Sequence, residues 1–195
     1  LDTETAGDIS FPLPYDLGYK IINKKGETLV TRSFCIYEIY AEQKELMKTA
    51  YYADKLPQYE DELKSGDRKL VRLYTARKTI LNDMKEFKIN RVYAYNMNFD
   101  KRALNNNQKF VTKNRYRFFF PKETEFRCIW NMACQVLLAR PSYIKTALKN
   151  NWVSEKGNIL TNAECCYRYI TKNHNFVEAH KGIDDVNIEA EILLK

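Results

Sequence analysis

The order in which strand-like and helix-like segments alternate constrains the fold of this chain more than any other feature. Alternating or β-branched residues predict three strands, at 1–4, 15–23 and 28–37. A short polar turn that ends in glycine separates the last two strands, and this pattern is typical of a β-hairpin. Apolar residues at helical spacing predict a helix over 68–87, and a further strand follows at 91–95. The order β-β-β-α-β-α predicts a mixed sheet with helices packed on it, which is an α/β layer fold.

The rest of the chain is predicted to be mainly helical or irregular. Helices are expected at 41–51, 99–110, 127–138, 143–150, 161–171 and 183–195. Thr161 and Glu164 have the spacing of a capping box. A polar connection is expected between Pro57 and Gly66, a loop at 7–14, a small hairpin at 152–160, and an irregular basic and aromatic stretch at 111–126. We therefore predict one domain, 1–195, in which 105–178 is a less regular helical segment.

Charge and cysteine content narrow the class of protein. The formal net charge is +7, which suits nucleic acid or a membrane face, although many lysine-rich proteins bind nothing acidic. No apolar run approaches the ~18 residues of a membrane span, so no membrane partner is expected. The five cysteines are odd in number and form no C-x-x-C pair, so neither a disulfide framework nor a zinc site is indicated. Reduced thiols are typical of a cytoplasmic protein.

The first candidate motif is Asp2-Thr3-Glu4. Because strand side chains alternate, Asp2 and Glu4 are expected on one face, where they repel each other unless a cation lies between them. Oxygen ligands of this kind suit Mg²⁺ or Mn²⁺. The alternative is a solvated strand edge, since D-x-E is frequent by chance. Leu1 stands directly before this motif, so we expect a few apolar residues of the first strand to precede it.

Two further segments carry candidate residues. Asp100 is expected at a strand–helix junction, where ligand-binding carboxylates often collect; the alternative is an acid that favours a helix N-terminus. His180 and Asp185 are five residues apart, so they cannot share one face of a continuous helix. We expect Gly182 to leave His180 on a flexible loop while Asp185 projects from the first helical turn. A histidine there suits general-base work; the alternative is a surface histidine.

Together these segments resemble the three motifs of the DEDDh class of the DnaQ-like exonucleases, whose fold is ribonuclease H-like. Residues 2–4 match D-x-E, residues 96–100 match N-x-x-F-D, and His180 with Asp185 matches H-x-x-x-x-D. The resemblance spans the chain from the first motif into the final helix. The segment 105–177 does not match motif by motif, and it loosely resembles exonucleases of phages and prophages of Gram-positive bacteria.

The resemblance implies a 3′→5′ exonuclease with two Mg²⁺ or Mn²⁺ ions per site. In this family the residues that match Asp2, Glu4 and Asp185 hold one cation. The residue that matches Asp2 also bridges to the second cation, which the residue matching Asp100 supports, often through water. The residue that matches His180 deprotonates the attacking water.

The resemblance also implies how the substrate is held. An unpaired or frayed 3′ end of DNA or RNA is expected to meet Thr5 and Ala6 through their backbone, and to lie against Asn96 and Phe99. Ala6 departs from the family, where a second threonine is common at this position. Asp184 duplicates the acid of the third motif, although the spacing selects Asp185.

Several readings of the function remain open at this point. The chain would act alone or with a polymerase or other replication proteins, in the cytoplasm, and it would be encoded by a phage if the looser resemblance holds. The alternative is a non-catalytic nucleic-acid-binding module or replication-complex partner that keeps the fold. The basic stretch 113–122 either lines the approach of the substrate or forms a core strand with basic flanks.

Overall fold

A four-stranded mixed sheet organises the first part of the chain. The computed structural model describes residues 1–113 and 115–195; Asn114, which belongs to the predicted basic and aromatic stretch, lies outside the described residues. The strands of this sheet are β1 (Asp2–Ala6), β2 (Leu13–Ile22), β3 (Thr28–Ile36) and β4 (Lys69–Val71). Strands β1, β2 and β3 pair antiparallel in that order, and β4 adds parallel to β3.

A second sheet continues this arrangement. Strands β5 (Arg91–Ala94) and β6 (Glu125–Cys128) pair parallel to each other. The backbone nitrogen of Leu1 donates a hydrogen bond to the carbonyl of Tyr93 at 2.8 Å, so the start of β1 lies beside β5. The predicted α/β class is confirmed.

Helices connect and cover these strands. They are α1 (Tyr37–Tyr40), α2 (Lys44–Met47), α3 (Leu56–Ser65), α4 (Leu73–Glu86), α5 (Met97–Val111), α6 (Ile129–Leu137), α7 (Pro141–Lys149), α8 (Ala163–Thr171) and α9 (Gly182–Leu193). A 3₁₀ turn at Ala53–Lys55 precedes α3. No helix within the described ranges combines the length and the apolar character that crossing a membrane requires.

The β2–β3 hairpin forms as predicted because its turn is specified locally. The side chain of Asn23 accepts hydrogen bonds from the backbone of Lys25 and Glu27, at 2.9 and 3.0 Å. Gly26 supplies the left-handed φ of 83° that the turn needs. Strand β2 is buried along most of its length, so this hairpin runs through the middle of the core.

Three of the predicted elements were wrong. The expected polar connection at 57–66 is helix α3, in which Pro57 lies in the first turn and Gly66 is the left-handed cap. The helix expected over 68–87 begins only at Leu73, because residues 69–71 pair with β3. The helix expected over 41–51 is reduced to α2, with α1 before it.

Smaller predictions have mixed outcomes. The hairpin at 152–160 is confirmed by an antiparallel bridge between Val153 and Ile159. The capping box was displaced by one residue, since Asn162 caps α8 and accepts from the backbone of Cys165 at 3.1 Å. The carbonyl of Thr161 instead accepts from the hydroxyl of Tyr95.

The basic and aromatic stretch forms no strand within residues 113 and 115–122, so the predicted core strand was wrong, although part of the stretch is buried. Phe119 and Phe120 are buried in the core. The rings of Tyr116 and Phe118 stay exposed and contact each other edge to face, with centroids 5.7 Å apart. The stretch is therefore part core and part accessible aromatic surface.

Candidate metal centre

Residues of the neighbouring strand β2 lie beside the first acidic motif on β1. In the β1–β2 pairing Asp2 lies opposite Gly18 and Glu4 lies opposite Asp16. Because side chains alternate along a strand, these four positions share one face of the sheet. The β1 register shifts directly after Glu4, at Thr5.

The N-terminus of α9 docks onto this face where glycines leave room for it. A Cβ on Gly18 would lie only 2.5 Å from the carbonyl carbon of Gly182. The backbone N–H of Gly182 donates to Asp16 at 3.0 Å, across a sequence separation of 166 residues. Gly182 thus serves close packing, whereas the left-handed φ before the helix belongs to His180, at 55°. Our expectation that Gly182 supplies the loop conformation was wrong in this respect.

This docking brings three carboxylates together. Ligand oxygens of Asp2, Glu4 and Asp185 all lie within 4.8 Å of one another. Asp185 occupies the first turn of α9, as predicted, while its neighbour Asp184 turns outward to Lys181 at 3.1 Å. The geometry therefore selects Asp185 over Asp184. We call Asp2, Glu4 and Asp185 the acidic trio.

Among the described residues, the charges with the largest effect on the acidic trio are those of other carboxylates. Burial raises the pKa of Glu4 to about 9, and the charge of Asp185 contributes next. The pKa of Asp185 is raised to about 8 by burial and by Glu178. The carboxyl group of Asp2 is desolvated and faces Asp100, so its pKa is also raised well above the usual value. Asp185 Oδ1 is buried without a hydrogen-bond partner among the described residues.

Asp100 lies beside the acidic trio rather than in it. It is buried in the first turn of α5, and its Oδ1 accepts a hydrogen bond from the hydroxyl of Thr3 at 2.8 Å. Burial raises the pKa of Asp100 to about 6, and the hydrogen bond from Thr3 opposes this rise. After burial, the charge of Asp100 has the largest effect on the pKa of Asp2. One oxygen of Asp100 therefore accepts a hydrogen bond, while the negative charge of Asp100 still raises the pKa of Asp2 in the trio.

His180 is held by an aromatic ring that the sequence did not indicate. Its imidazole stacks on Tyr52, with centroids 4.1 Å apart and planes 6° apart. Its backbone forms a hydrogen bond with the carboxylate of Asp185. Burial lowers the pKa of the imidazole below its usual value. His180 is therefore neutral near pH 7 and is joined to the trio through Asp185.

A second cluster of charges lies next to the trio. The guanidinium of Arg68, fully buried, donates to Asp16 and, at 2.8 Å, to Glu62. The hydroxyl of Tyr59 donates to Asp16 at 2.8 Å, and Lys181 donates to Glu62 at 2.6 Å. We call these five residues the Arg68 network. Because Asp16 also binds the backbone of α9, the network fixes the helix that carries Asp185.

Glu189 is another acid that the sequence motifs do not include. It lies on α9 four residues after Asp185, so the two side chains project from neighbouring positions on one helix face. It is 3% exposed, and its charge raises the pKa of Asp2. The four-residue spacing within one helix was a signal that could have identified it.

The predicted substrate-binding residues surround the site in different ways. Asn96 is exposed at the start of α5, and Phe99, half-buried, lies 5.6 Å from the guanidinium of Arg102. Ala6 is buried, which leaves only its backbone for a ligand. The carbonyl of Thr5 accepts from the backbone of Tyr51 at 3.4 Å.

Comparisons of the chain with protein-family models, with curated proteins and with solved structures find no match. A functional assignment therefore depends on the residues of this chain. The acidic trio offers carboxylate oxygens, of which Asp185 Oδ1 is buried and has no hydrogen-bond partner in the part of the chain that the structure describes. This donor set fits a hard divalent cation such as Mg²⁺ or Mn²⁺.

Proposed function

We propose that this chain is a metal-dependent 3′→5′ exonuclease that hydrolyses phosphodiester bonds at the 3′ end of DNA or RNA. The observation that carries the proposal is the acidic trio. Two of its members lie on the first strand and the third lies on the last helix, yet their oxygens lie within 4.8 Å of one another. Like charges at this spacing are stable only when they are protonated or share a cation.

The sheet order supports assignment to the ribonuclease H-like folds. An antiparallel β1-β2-β3 meander lies beside the parallel pair β5-β6, and the hydrogen bond from Leu1 to Tyr93 joins them. Two of the proposed acids come from the first strand and the others from helices that follow or cover the sheet. The motifs of the DEDDh class occur at these elements in the same order.

The carboxylates would divide between two cations. Asp2, Glu4 and Asp185 would hold one, while Asp2 and Asp100 would hold the other. Bound Mg²⁺ or Mn²⁺ supplies Lewis-acid stabilisation of the charge that develops on the phosphate and on the leaving 3′ oxygen. Thr3 orients Asp100 through its hydroxyl, so that one carboxylate oxygen remains for this role.

His180 is proposed as the general base. Its lowered pKa keeps a ring nitrogen unprotonated near neutral pH, so the imidazole can accept the proton of the attacking water. The stacked ring of Tyr52 and the backbone contact with Asp185 restrict where that imidazole can lie. The charged groups that act on the imidazole itself are Glu164, Lys55 and Asp54 rather than the acidic trio.

Surface features at the site suit a single-stranded 3′ end. Asn96 is exposed and Phe99 half-buried at the start of α5, where an unpaired base could stack or form hydrogen bonds. The formal net charge of +7 favours approach of a polyanion. The acidic trio repels phosphate when no cation is bound. Binding of the nucleic acid should therefore depend on the metal.

A 5′-labelled single-stranded oligonucleotide tests the proposal. With Mg²⁺ or Mn²⁺ we expect a ladder that shortens from the 3′ end, and none in EDTA. Asp2→Asn should lower the rate about 10³-fold, the scale of losing one preorganised electrostatic group. Asp184→Asn is the matched control, because this acid faces outward, and it should retain activity.

Tight binding of the oligonucleotide without cleavage would contradict the proposal and favour a non-catalytic binding module. A parallel panel of single-stranded DNA, duplex DNA and RNA identifies the preferred sugar and strand state.

A further inference from the structure

The two oxygens of the Glu189 carboxylate have different surroundings. Oε1 accepts a hydrogen bond from the backbone N–H of Tyr95 at 3.0 Å. Oε2 is buried and has no hydrogen-bond partner among the described residues. Burial of a carboxylate oxygen without a partner costs free energy, so we expect this oxygen to bind a cation or a hydrogen-bond donor from outside the chain.

The position of Glu189 indicates where Oε2 lies. Tyr95 directly follows β5 and precedes the second acidic motif, so its hydrogen bond holds Glu189 between α9 and the start of α5. The charge of Glu189 raises the pKa of Asp2. Burial raises the pKa of Glu189 itself to about 8; the ammonium group of Leu1 opposes this rise, and Asp100 and Asp185 add to it. Glu189 therefore lies close to the acids on both sides of the proposed cation site.

We propose that Glu189 is a fifth carboxylate of the cation site and that its free Oε2 faces the cation held by Asp2 and Asp100. This inference rests on the proposed function for the cations, but it concerns a residue outside the three motifs. Its two oxygens would perform different tasks. Oε1 would tie the beginning of α5 to α9. Oε2 would add negative charge at the second cation, to which Asp2 is the only member of the acidic trio assigned.

Mn²⁺ binding by the intact protein tests this role without any nuclease assay. Free Mn²⁺ is followed by electron paramagnetic resonance during titration, both alone and with thymidine 5′-monophosphate as a phosphate probe. Glu189→Gln keeps an oxygen for Tyr95 and removes the charge. We expect the weaker Mn²⁺ binding step to lose about 10- to 100-fold in affinity, the range seen when residues that support metal ligands are replaced.

Glu191→Gln is the matched control, because this glutamate is on the same helix but exposed, and its Mn²⁺ affinity should equal that of the parent protein. A folded Glu189→Gln protein with the parent affinity would overturn the inference. If that variant does not fold, Glu189→Asp carries the test, since it keeps the charge but withdraws it by one methylene. Parent-like Mn²⁺ binding by Glu189→Asp would then overturn the inference, and weakened binding would support it.

The two proposals fail in distinguishable ways. Parent protein that binds Mn²⁺ but does not cleave any oligonucleotide contradicts the exonuclease function alone. A parent protein that cleaves, together with a folded Glu189→Gln variant of unchanged Mn²⁺ affinity, contradicts the role of Glu189 alone. Parent protein that binds no Mn²⁺ contradicts both.

Discussion

Glu4 and Asp16 are cross-strand neighbours on one face of the sheet, yet their charges are treated in opposite ways. Asp16 meets the guanidinium of Arg68, the hydroxyl of Tyr59 and the backbone N–H of Gly182. The charges with the largest effect on Glu4 are instead those of other carboxylates, Asp185, Asp16 and Asp100. The protein supplies its own cation to one carboxylate and leaves the other to depend on a cation from solution.

This difference separates the structural from the functional use of buried charge. In the Arg68 network, burial opposes the charged form of Arg68, but the nearby charge of Asp16 raises its pKa above the usual value. Burial raises the pKa of Asp16, and Arg68 and Tyr59 oppose that rise. In the acidic trio, burial and repulsion act in the same direction on every member. Removal of a charge should therefore destabilise the first cluster and stabilise the second when no metal is bound.

The largest expected effect is that of Arg68→Met. It leaves Asp16 buried without its cationic partner, which typically costs about 3–5 kcal/mol of unfolding free energy. Urea denaturation at pH 7 measures this cost. Arg72→Met is the control, since the side chain of Arg72 is 63% exposed and its pairs with Glu38 and Glu42 are long, at 3.7 and 4.0 Å; it should cost less than about 1 kcal/mol. Equal costs for the two variants would remove the distinction between the clusters.

The second prediction concerns the pH dependence of the metal-free protein. Glu4 and Asp185 have folded pKa values of about 9 and about 8, against 4.5 and 3.8 as ordinary values. Near neutral pH the folded protein holds protons on these two groups that the unfolded chain releases, so their contribution to stability is fully present below about pH 4 and is lost as the pH rises towards 9.

Thermal unfolding in EDTA at pH 5.5 and pH 8.5 measures this loss, for which we expect a fall of about 5 °C or more. Saturating Mn²⁺ should reduce or reverse the fall, because bound cations replace the protons. A melting temperature in EDTA that does not change between these pH values would show that the trio is not a cluster of uncompensated acids.

The third prediction compares one acid from each cluster. Asp185→Asn removes repulsion from the acidic trio and should stabilise the metal-free protein by about 1 kcal/mol at pH 8. Asp16→Asn removes the partner of a buried guanidinium and should destabilise it. Denaturation in EDTA gives both values. Destabilisation of similar size in the two variants would contradict the comparison.

The smallest expected effect lies at the rim of the Arg68 network. Lys181 contacts Glu62 at 2.6 Å and Asp184 at 3.1 Å, and its side chain is 16% exposed. Because water reaches this pair, Lys181→Met should cost about 1 kcal/mol or less. A double-mutant cycle with Glu62→Gln measures the coupling free energy between the two side chains. A coupling close to the free energy lost in Arg68→Met would show that Lys181 behaves as a buried member of the network and would contradict this prediction.

The acids of the first and third motifs were predictable from the sequence because short spacings identify them. Asp2 and Glu4 alternate on a strand, and Asp185 begins a helix, so local geometry fixes their directions. The Arg68 network was not predictable in this way. Asp16 and Arg68 are 52 residues apart, and each resembled an ordinary member of its segment.

The fold shows the same division between local and remote causes. The β2–β3 turn follows from Asn23 and Gly26, which act within a few residues. Strand β4 exists because it pairs with β3, and no pattern within residues 69–71 indicates that partner. Helix α3 was missed because Pro57 and Gly66 were interpreted as loop residues, although they mark its start and end.

Tyr52 and Thr3 show what motif matching leaves out. The ring that stacks on His180 comes from a connection without regular pattern, so no sequence signal distinguishes Tyr52 from the exposed Tyr51 beside it. Thr3 lies within a motif, but its hydrogen bond to Asp100 requires a helix that begins nearly a hundred residues later.

The docking of α9 on Gly18 also orders events during synthesis. Both charge clusters need this helix, and it joins Asp16 across 166 residues. While a ribosome is still adding the residues before α9, Asp2, Glu4 and Asp100 are already made, but Asp185 is not. The nascent chain can therefore hold no complete cation site, and the proposed nuclease can have no activity, until α9 has been made and has docked.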